Sequence, residues 1–378
     1  MAFALSGARI FDGHEFIDDH AVIIEGIRIS ALVAKGKIPA GVEERNLGGG
    51  LLAPGYIDVQ VNGGGGVLLN DSPSVEAVRS IASSHRRYGT VGLLPTVITD
   101  ASSVTASAIA SVRAARAEGV PGILGVHVEG PFLDPARKGA HEAGFIRQPS
   151  EADLDMLLGA NCGVVVLTLA PNRVSTAAIK KLVGGGVRVS LGHAEANFDE
   201  VCAALDAGAT GFTHLYNAMS QMTAREPGMV GAALQDRGSF IGIISDGYHV
   251  HDAALKIAFA ATSHDRFMLV SDAMPPAAGG PDQFELQGRR VIRVGNRLQL
   301  GDGTLAGSNL TMDAGVKYCV QRLGLPLADV LRMASLNPCR FLGLERDLGH
   351  ISPGALASLV HLDDGLNVVE TWVEGNVG

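Results

Sequence analysis

Four ionisable residues that could carry out hydrolytic chemistry each stand at the end of a short apolar run. They are Glu129, His193, His214 and Asp272, and their runs are well separated in the chain. One carboxylate and two imidazoles form a ligand set for Zn²⁺ or Fe²⁺ that leaves coordination positions open for water and substrate. A water on such an ion has a pKa of about 7, which supplies a hydroxide at neutral pH. The first three residues therefore predict a metal site, and Asp272 is the candidate general base and acid for amide hydrolysis.

Neighbouring polar residues have structural interpretations that compete with a metal role. A single histidine at a strand end is usually a hydrogen-bonded structural residue, but four polar residues ending four strands favour a site. His127 shares strand parity with Glu129, and a packing or supporting role is expected for it rather than ligation. Gln60 and Asn62 end a further apolar run, and neutral amides are poor ligands for a transition metal, which favours one metal over two. A glycine-rich turn without a metal role is the alternative for this segment.

Eight β-rich apolar runs alternate with helical segments, which predicts a parallel sheet closed into a (β/α)8 TIM-like barrel of the α/β class. The expected strands are Tyr56–Val61, Val91–Thr96, Ile123–Glu129, Val164–Ala170, Arg188–His193, Gly211–His214, Phe240–Ser245 and Phe267–Asp272. The expected helices include Ser74–Tyr88, Ala101–Ala117, Glu151–Leu158, Val174–Val183 and Phe198–Ala207. In this fold the active site lies at the carboxyl ends of the strands, where the four candidate residues stand.

The two ends of the chain have a different pattern from its middle. Residues 1–52 and 347–378 contain short alternating runs separated by turn dipeptides, and they are expected to pair into a small β-sandwich domain. Residues 53–346 are then the metal-dependent catalytic barrel. A β-hairpin over Phe284–Leu300 is expected as an insertion after the eighth strand.

Composition excludes several classes of function. The 378 residues carry 30 basic and 39 acidic side chains, a net charge of −9, and the basic residues are dispersed, so nucleic acid and anionic membranes are not expected as partners. The first residues do not form a signal peptide, and no apolar run approaches the length of a membrane span, which favours a cytoplasmic protein. Four dispersed cysteines form no CxxC pair and are expected to be reduced thiols.

At the level of motifs, the chain resembles the N-acetylglucosamine-6-phosphate deacetylases of the amidohydrolase superfamily. The Thr213–Met219 motif with Arg225–Gly228 close behind is highly specific, whereas His127–Phe132 alone is moderately so. The segments that carry the likeness are Ala53–Gly63, His127–Phe132, Lys138–Glu142, Leu191–Ala194, Thr213–Met219, Arg225–Gly228, Ser245–His249, Val270–Ala273 and Thr304–Ser308.

The resemblance implies the same metal ligands and the same acid/base as the residue pattern does. It further implies that His141 acts near the scissile carbonyl, where an imidazole donor would stabilise the developing oxyanion. The residues implied to contact substrate are Ala140 and His141, then Asn217, Ala218, Arg225 and His249 around the phosphate, and Leu305, Ala306 and Gly307 on the sugar side. The pair Gln60 and Asn62 is similar to that of family members with one metal ion per subunit. The resemblance therefore implies a single ion, with Zn²⁺ expected first and Fe²⁺ as the alternative. Relatives complete the phosphate pocket across a dimer interface, so a homodimer is implied.

Several alternatives remain open at this point. Without the family likeness, Arg225 beside Glu226 would be interpreted as a surface ion pair, and His249 or His251 as a helix-start residue. The function expected is hydrolysis of the acetamide of N-acetyl-D-glucosamine 6-phosphate. The rivals are deacetylation of the galactosamine epimer, an amidohydrolase acting on an amide without phosphate, and a sugar-phosphate binder that has lost catalysis.

Overall fold

The N-terminal segment forms one sheet and part of another. The computed structural model describes residues 2–377. The first seven strands are β1 (Ala2–Ser6), β2 (Arg9–Phe11), β3 (Phe16–Ile17), β4 (His20–Glu25), β5 (Arg28–Ala34), β6 (Glu43–Asn46) and β7 (Leu51–Pro54). The order of the first sheet is β5-β4-β1-β6, antiparallel except for the parallel pair of β1 and β6. The strands β2, β3 and β7 belong to a second sheet that the C-terminal strands complete.

The middle of the chain forms an eight-stranded parallel barrel. After β8 (Tyr56–Val61), a short hairpin of β9 (Gly63–Gly64) and β10 (Val67–Leu68) closes the glycine-rich segment. The other barrel strands are β11 (Thr90–Ile98), β12 (Gly125–Glu129), β13 (Val164–Leu169), β14 (Arg188–Leu191), β15 (Gly211–Phe212), β16 (Phe240–Ile243) and β17 (Phe267–Leu269). Neighbours in chain order pair in parallel from β8 to β17. A parallel bridge between Val61 and Ala273 joins the last unit back to the first. The predicted eight-stranded barrel is confirmed.

Four of the strands end two or three residues before the position that the sequence predicts. The predicted fifth, sixth and eighth strands ran as far as His193, His214 and Asp272, but each of these residues lies two or three positions past the observed strand. Their φ angles are 48°, 35° and 51°, which is the left-handed region. Because a β-ladder requires extended backbone, the strand ends before each of them. The seventh strand also ends earlier, at Ile243 rather than Ser245.

Helices cover the outside of the barrel. They are α1 (Val75–Arg86), α2 (Ser102–Ala117), α3 (Glu151–Leu158), α4 (Thr176–Gly184), α5 (Phe198–Asp206), α6 (Gly228–Gln235), α7 (Asp252–Ala261), α8 (Met312–Lys317), α9 (Leu327–Ala334) and α10 (Leu336–Leu342). Five of the ten helices, α1, α3, α4, α5 and α7, begin at a side-chain cap. Ser150 caps α3 and Asn197 caps α5, each in a capping box with the acidic residue three positions later. Their apolar faces contribute to the core around the strands, as Val78 and Ile81 of α1 do.

The segment after the eighth strand is a sheet of four strands rather than the expected hairpin. Its antiparallel strands are β18 (Gln283–Leu286), β19 (Arg289–Val294), β20 (Arg297–Gln299) and β21 (Leu305–Ser308). The fourth strand, β21, also bonds to the chain beyond β17. Ser308 N donates to Asp272 O at 2.9 Å, and Met274 N donates to Ser308 O at 3.0 Å. We call β18–β21 the inserted sheet.

The C-terminal strands complete the β-sandwich. The strands β22 (Leu359–Leu362), β23 (Val368–Val373) and β24 (Asn376–Val377) give the second sheet the order β24-β23-β22-β7-β2-β3. A separate apolar core, with Leu5, Ile24, Leu52 and Trp372 among its buried members, fills the space between the two sheets. The predicted combination of barrel and small β-sandwich is confirmed. Over residues 2–377, every helix is too short or too polar to cross a membrane.

Candidate active site

Three of the predicted residues converge at the carboxyl end of the barrel. Glu129 ends β12, while His193 and His214 follow β14 and β15. Glu129 Oε1 lies 3.1 Å from His193 Nε2 and 3.0 Å from His214 Nε2, and the two Nε2 atoms are 3.0 Å apart. All three side chains are buried. The strand order of the barrel therefore brings together residues that are separated by up to 85 positions in the chain.

The chemistry of these three side chains fits a divalent metal ion. His193 Nδ1 lies 2.9 Å from the carbonyl oxygen of Arg137, an acceptor, so the proton is on Nδ1 and the lone pair of Nε2 points at the cluster. Burial raises the pKa of Glu129, but the adjacent His193 and His214 hold that pKa well below its usual range, so the carboxylate is ionised. Two imidazole nitrogens facing one carboxylate oxygen at these distances form a donor set for Zn²⁺ or Fe²⁺.

The backbone at the cluster is strained. His193, His214 and Asp272 are not glycines, yet all three have positive φ angles. Each such residue costs roughly 1–3 kcal/mol, and the cost persists only where the surrounding structure enforces it. The left-handed turn directs each side chain across the end of the barrel instead of along the strand. Strain at three of the four candidate residues agrees with a functional site at this end of the barrel.

Two amides position Asp272. Asn62 Nδ2 donates to Asp272 Oδ1 at 2.7 Å, and Gln60 Nε2 donates to the same oxygen at 3.1 Å. The Gln60 amide also donates to Glu129 Oε2 at 3.2 Å, so one side chain joins the ligand carboxylate to the candidate acid/base. Burial, with a further contribution from the charge of Glu129, raises the pKa of Asp272 to about 6. A carboxyl group with this pKa can both accept and donate a proton near neutral pH.

His127 lies beneath the ligands and contacts other side chains. Its Nε2 is 2.7 Å from Thr168 Oγ1, and its Nδ1 is 3.2 Å from Thr96 Oγ1. Burial lowers the pKa of His127 to about 4, so the ring is neutral. These contacts agree with the packing or supporting role expected from the sequence.

His141 lies beside the ligand cluster in the segment after β12. Its ring centroid is 4.5 Å from that of His193, and the side chain is buried. Burial, together with the neighbouring His193, lowers the pKa of His141 to about 3, so the imidazole is neutral and has one N–H to donate.

A cavity of about 420 Å³ opens over these groups. The three ligand residues and Asp272 line it together with all but two of the residues expected to contact substrate. Those that line it are Ala140, His141, Asn217, Ala218, His249, Leu305 and Gly307. Ala306, in β21, is instead buried in the apolar cluster that the inserted sheet helps to form.

Arg225 lies outside this cavity. It is exposed in the loop that precedes α6. The ion pair with Glu226, considered as an alternative, is absent from the described part of the chain, and Glu226 instead accepts hydrogen bonds from Phe198 N and Gly228 N. Within residues 2–377, no hydrogen bond or ion pair joins the guanidinium to the other predicted phosphate contacts.

The two histidines after β16 have different roles. His251 caps the start of α7, where its Nδ1 accepts a hydrogen bond from Ala253 N at 3.1 Å. His249 lines the cavity, and its Nδ1 lies 2.7 Å from Asp246 Oδ2. The carboxylate fixes a proton on Nδ1 and orients the ring, which leaves Nε2 as the atom that can face a ligand.

Residues 51–378 match the model of the Amidohydrolase family. This chain belongs to the amidohydrolase family. Residues 2–52 match a second model, described as the NagA composite domain. The family resemblance inferred from the motifs is thereby confirmed, and the metal-dependent chemistry of the family agrees with the buried cluster of one carboxylate and two imidazoles.

Individual relatives cover nearly the whole chain. An N-acetylgalactosamine-6-phosphate deacetylase from Shewanella sp. (strain ANA-3) is 42% identical over 87% of this chain and 83% of its own length. An N-acetylglucosamine-6-phosphate deacetylase from Mus musculus is 38% identical over 89% of this chain and 85% of that protein. The crystal structure of N-acetylglucosamine-6-phosphate deacetylase from Pasteurella multocida has a TM-score of 0.97 at 32% identity, with 100% of both chains covered.

Sequence reasoning missed several contributors to this site. The bridging contacts of Gln60 depend on residues 69 and 212 positions away, so no local pattern could reveal them. Ile98, Met274 and Leu286 also line the cavity, although each belongs to an ordinary apolar run. The pairing of Asp246 with His249 had a local signal, because an aspartate three residues before a histidine at a strand end can reach its ring.

Proposed function

We propose that this amidohydrolase hydrolyses the acetamide of N-acetyl-D-glucosamine 6-phosphate to D-glucosamine 6-phosphate and acetate. The observation that carries the proposal is the convergence of Glu129, His193 and His214 with Asp272 in one cavity, in a chain whose relatives include deacetylases of this sugar phosphate. A sugar-phosphate binder without catalysis would have no use for a strained acid/base beside a metal site.

One divalent ion per subunit, Zn²⁺ in the first place and Fe²⁺ as the alternative, would be held by Glu129, His193 and His214. When bound, it supplies a Lewis acid for the amide carbonyl and activation of the attacking water. Asp272 then takes a proton from the water as its oxygen attacks the carbonyl carbon. The same carboxyl group returns the proton to the nitrogen as the C–N bond breaks, giving acetic acid and the amine, between which the remaining acid proton passes to leave acetate and the protonated amine. The N–H of neutral His141 donates to the carbonyl oxygen as negative charge develops there.

The phosphate end of the substrate would lie toward the ends of β15 and β16. Asn217 and Ala218 line that side of the cavity, and His249 adds an imidazole oriented by Asp246. Ala140 and the segment Leu305–Gly307 would enclose the sugar.

We further propose a homodimer in which Arg225 of one copy completes the phosphate pocket of the other. The exposure of Arg225 and its position outside its own cavity support this arrangement, since an Arg fork binds phosphate well.

We also propose that the chain divides into a sandwich domain of residues 1–52 and 347–378 and a catalytic barrel of residues 53–346. The proposed location of the protein is the cytoplasm.

The galactosamine epimer is the second candidate substrate, because a relative at 42% identity is named for it. The two sugars differ in one hydroxyl, and the chemistry at Glu129 and Asp272 is the same for both. An amidohydrolase acting on an amide without phosphate is a weaker candidate, since it would give no reason for an oriented His249 at the far side of the cavity.

The test is acetate release from three compounds by the metal-replete protein, with metal content measured on the same sample. They are N-acetylglucosamine 6-phosphate, N-acetylgalactosamine 6-phosphate and unphosphorylated N-acetylglucosamine. The expected result is turnover of the glucosamine phosphate in preference to its epimer and to the free sugar, with one metal per chain. Preference for the epimer would support the second candidate. Equal turnover with and without phosphate, or none, would contradict the proposal.

Arg225→Ala provides the test of the dimer. It is expected to raise KM for the phosphorylated sugar, while kcat/KM for the free sugar stays the same. Mixing it with a catalytically inactive Asp272→Asn protein should restore wild-type KM at sites that combine Asp272 of one copy with Arg225 of the other. An unchanged KM after mixing would contradict a shared pocket.

A further inference from the structure

One side of the cavity is formed by three nearly inaccessible apolar side chains. Ile98, Met274 and Leu286 line the cavity, and their exposed fractions are 4%, 3% and 0%. We call these three residues the apolar wall. They belong to one hydrophobic cluster that continues into the inserted sheet through Val291 and Leu298. The mechanism described above uses none of them.

The Ile98 side of the apolar wall lies across the cavity from the predicted phosphate contact Asn217. Ile98 ends β11, and Met274 follows Asp272 beyond β17. Asn217 and His249 come from the ends of β15 and β16. In the closed order of the eight strands, β11 and β15 are four positions apart and therefore face each other, whereas β17, which leads to Met274, is next to β16.

The wall is also held firmly in place. Gln287 Nε2, next to Leu286, donates to Thr99 O at 2.7 Å and to Asp100 Oδ2 at 3.1 Å. On the neighbouring strand, Arg289 Nη2 donates to Ala140 O at 2.5 Å. These bonds tie the inserted sheet to the loops that follow β11 and β12.

Gly307 fixes the position of Met274. Its φ angle is +61°, and a Cβ placed on it would lie 2.6 Å from Met274 Cγ and 2.9 Å from Asp272 O. The close approach of the two chains leaves the methionine little space to move away from a ligand. A rigid apolar surface of this kind discriminates by size.

We propose that the apolar wall binds the N-acyl group of the substrate and restricts it to acetyl. This inference rests on the proposed function. With the carbonyl at the ligand cluster and the nitrogen at Asp272, the sugar and its phosphate extend toward Asn217 and His249. The substituent on the other side of the carbonyl carbon then points to the wall. The surface therefore selects the acetyl group over longer aliphatic acyl groups.

The test compares the N-acetyl, N-propionyl and N-butyryl forms of glucosamine 6-phosphate. In the wild-type protein, each added methylene is expected to lower kcat/KM by at least about 10-fold, the lower end of what a tight apolar pocket achieves per methylene. Leu286→Ala and Met274→Ala remove side-chain volume where the acyl chain would extend. Each variant should bring the acetyl to propionyl ratio of kcat/KM close to one, mainly by increasing the rate with propionyl.

Leu298→Ala is the matched control, because Leu298 is buried in the same cluster but does not line the cavity. It is expected to lower thermal stability like the other two while keeping the wild-type ratio. Two results would overturn the proposal: a wild-type protein that accepts all three acyl groups equally, or a ratio that the wall variants leave unchanged. Absence of acetate release from the N-acetyl compound by the wild type is a different outcome, which would reject the proposed function and the acyl pocket together.

Discussion

Replacing Asp58 by asparagine should change how the stability of this protein depends on pH. Asp58 lies in β8, fully buried, and its Oδ1 accepts hydrogen bonds from Gln60 N and Ser271 N, both at 3.2 Å. Its Oδ2 has no hydrogen-bond partner within residues 2–377. Burial raises the pKa of Asp58 from 3.8 to about 7. The folded protein therefore holds a proton on this residue at pH values where the unfolded chain has lost it.

The sign of the effect follows from this raised pKa. Below pH 3.8 the carboxyl group is protonated in both states, so it has no influence on the free energy of unfolding. As the pH rises toward the folded pKa, the unfolded state gains by ionising first, and the native state loses stability. The loss is about 1.4 kcal/mol per pH unit, which amounts to about 3 kcal/mol between pH 5 and the folded pKa. Above that pH the loss is complete and constant.

Asp58→Asn has the shape of the protonated acid and cannot ionise. It keeps the Oδ1 acceptor, and any cost of burying its NH₂ group is the same at all pH values. The free energy of unfolding of the variant, minus that of the wild type, should therefore rise by about 3 kcal/mol from pH 5 to pH 8. Urea denaturation of both proteins in the same metal-containing buffers measures this difference.

Asp153→Asn is the control, because the pKa of Asp153 is lowered in the folded protein whereas that of Asp58 is raised. Burial raises the pKa of Asp153, but hydrogen bonds from Arg147 and Ser150 hold it below its usual value. The carboxylate is ionised in both states from pH 5 to pH 8, so this variant should lose a constant amount of stability. A difference between Asp58→Asn and wild type that does not change with pH would refute the reasoning.

Three further predictions concern catalysis. Asp272→Asn should lower kcat by about 10²–10⁴-fold with unchanged metal content, because the proton shuttle is lost and the metal ligands remain. Loss of metal, or unchanged turnover, would contradict the proposed role of Asp272. Asn62→Leu removes the 2.7 Å donor to Asp272, so kcat should fall at constant KM and constant metal content, whereas an effect confined to KM would exclude a role in holding the carboxylate. Asp246→Asn should raise KM for the phosphorylated sugar and leave kcat nearly unchanged, since its Oδ2 orients His249; steady-state kinetics that show a fall in kcat alone would contradict this assignment.

The barrel could be predicted from sequence because its strands are buried on both faces. Such strands are continuous apolar runs, for example Val164–Leu169, and they are separated by helical segments. The rule that parallel strands present their carboxyl ends to the active site then predicts Glu129, His193, His214 and Asp272 as site residues from the sequence alone.

The parts that could not be predicted depend on backbone conformation or on distant contacts. The predicted strands ran too far at His193 and His214 because a left-handed φ angle at a histidine has no signature in the sequence. The fourth strand of the inserted sheet, Leu305–Ser308, was missed because its length and glycine content are those of a loop. The position of Arg225 outside the cavity could not be known either, since the motif specifies its neighbours and not the direction of its loop.

The pairing of β21 with the chain at Asp272 has a mechanical consequence. Ser308 donates to the carbonyl of Asp272 and accepts from Met274, so the covering sheet and the acid/base share backbone hydrogen bonds. Any outward movement of the inserted sheet would pull on the backbone of Asp272, the proposed acid/base. An inserted sheet exchanged between relatives would therefore change the geometry of the proposed proton transfer as well as the lining of the cavity.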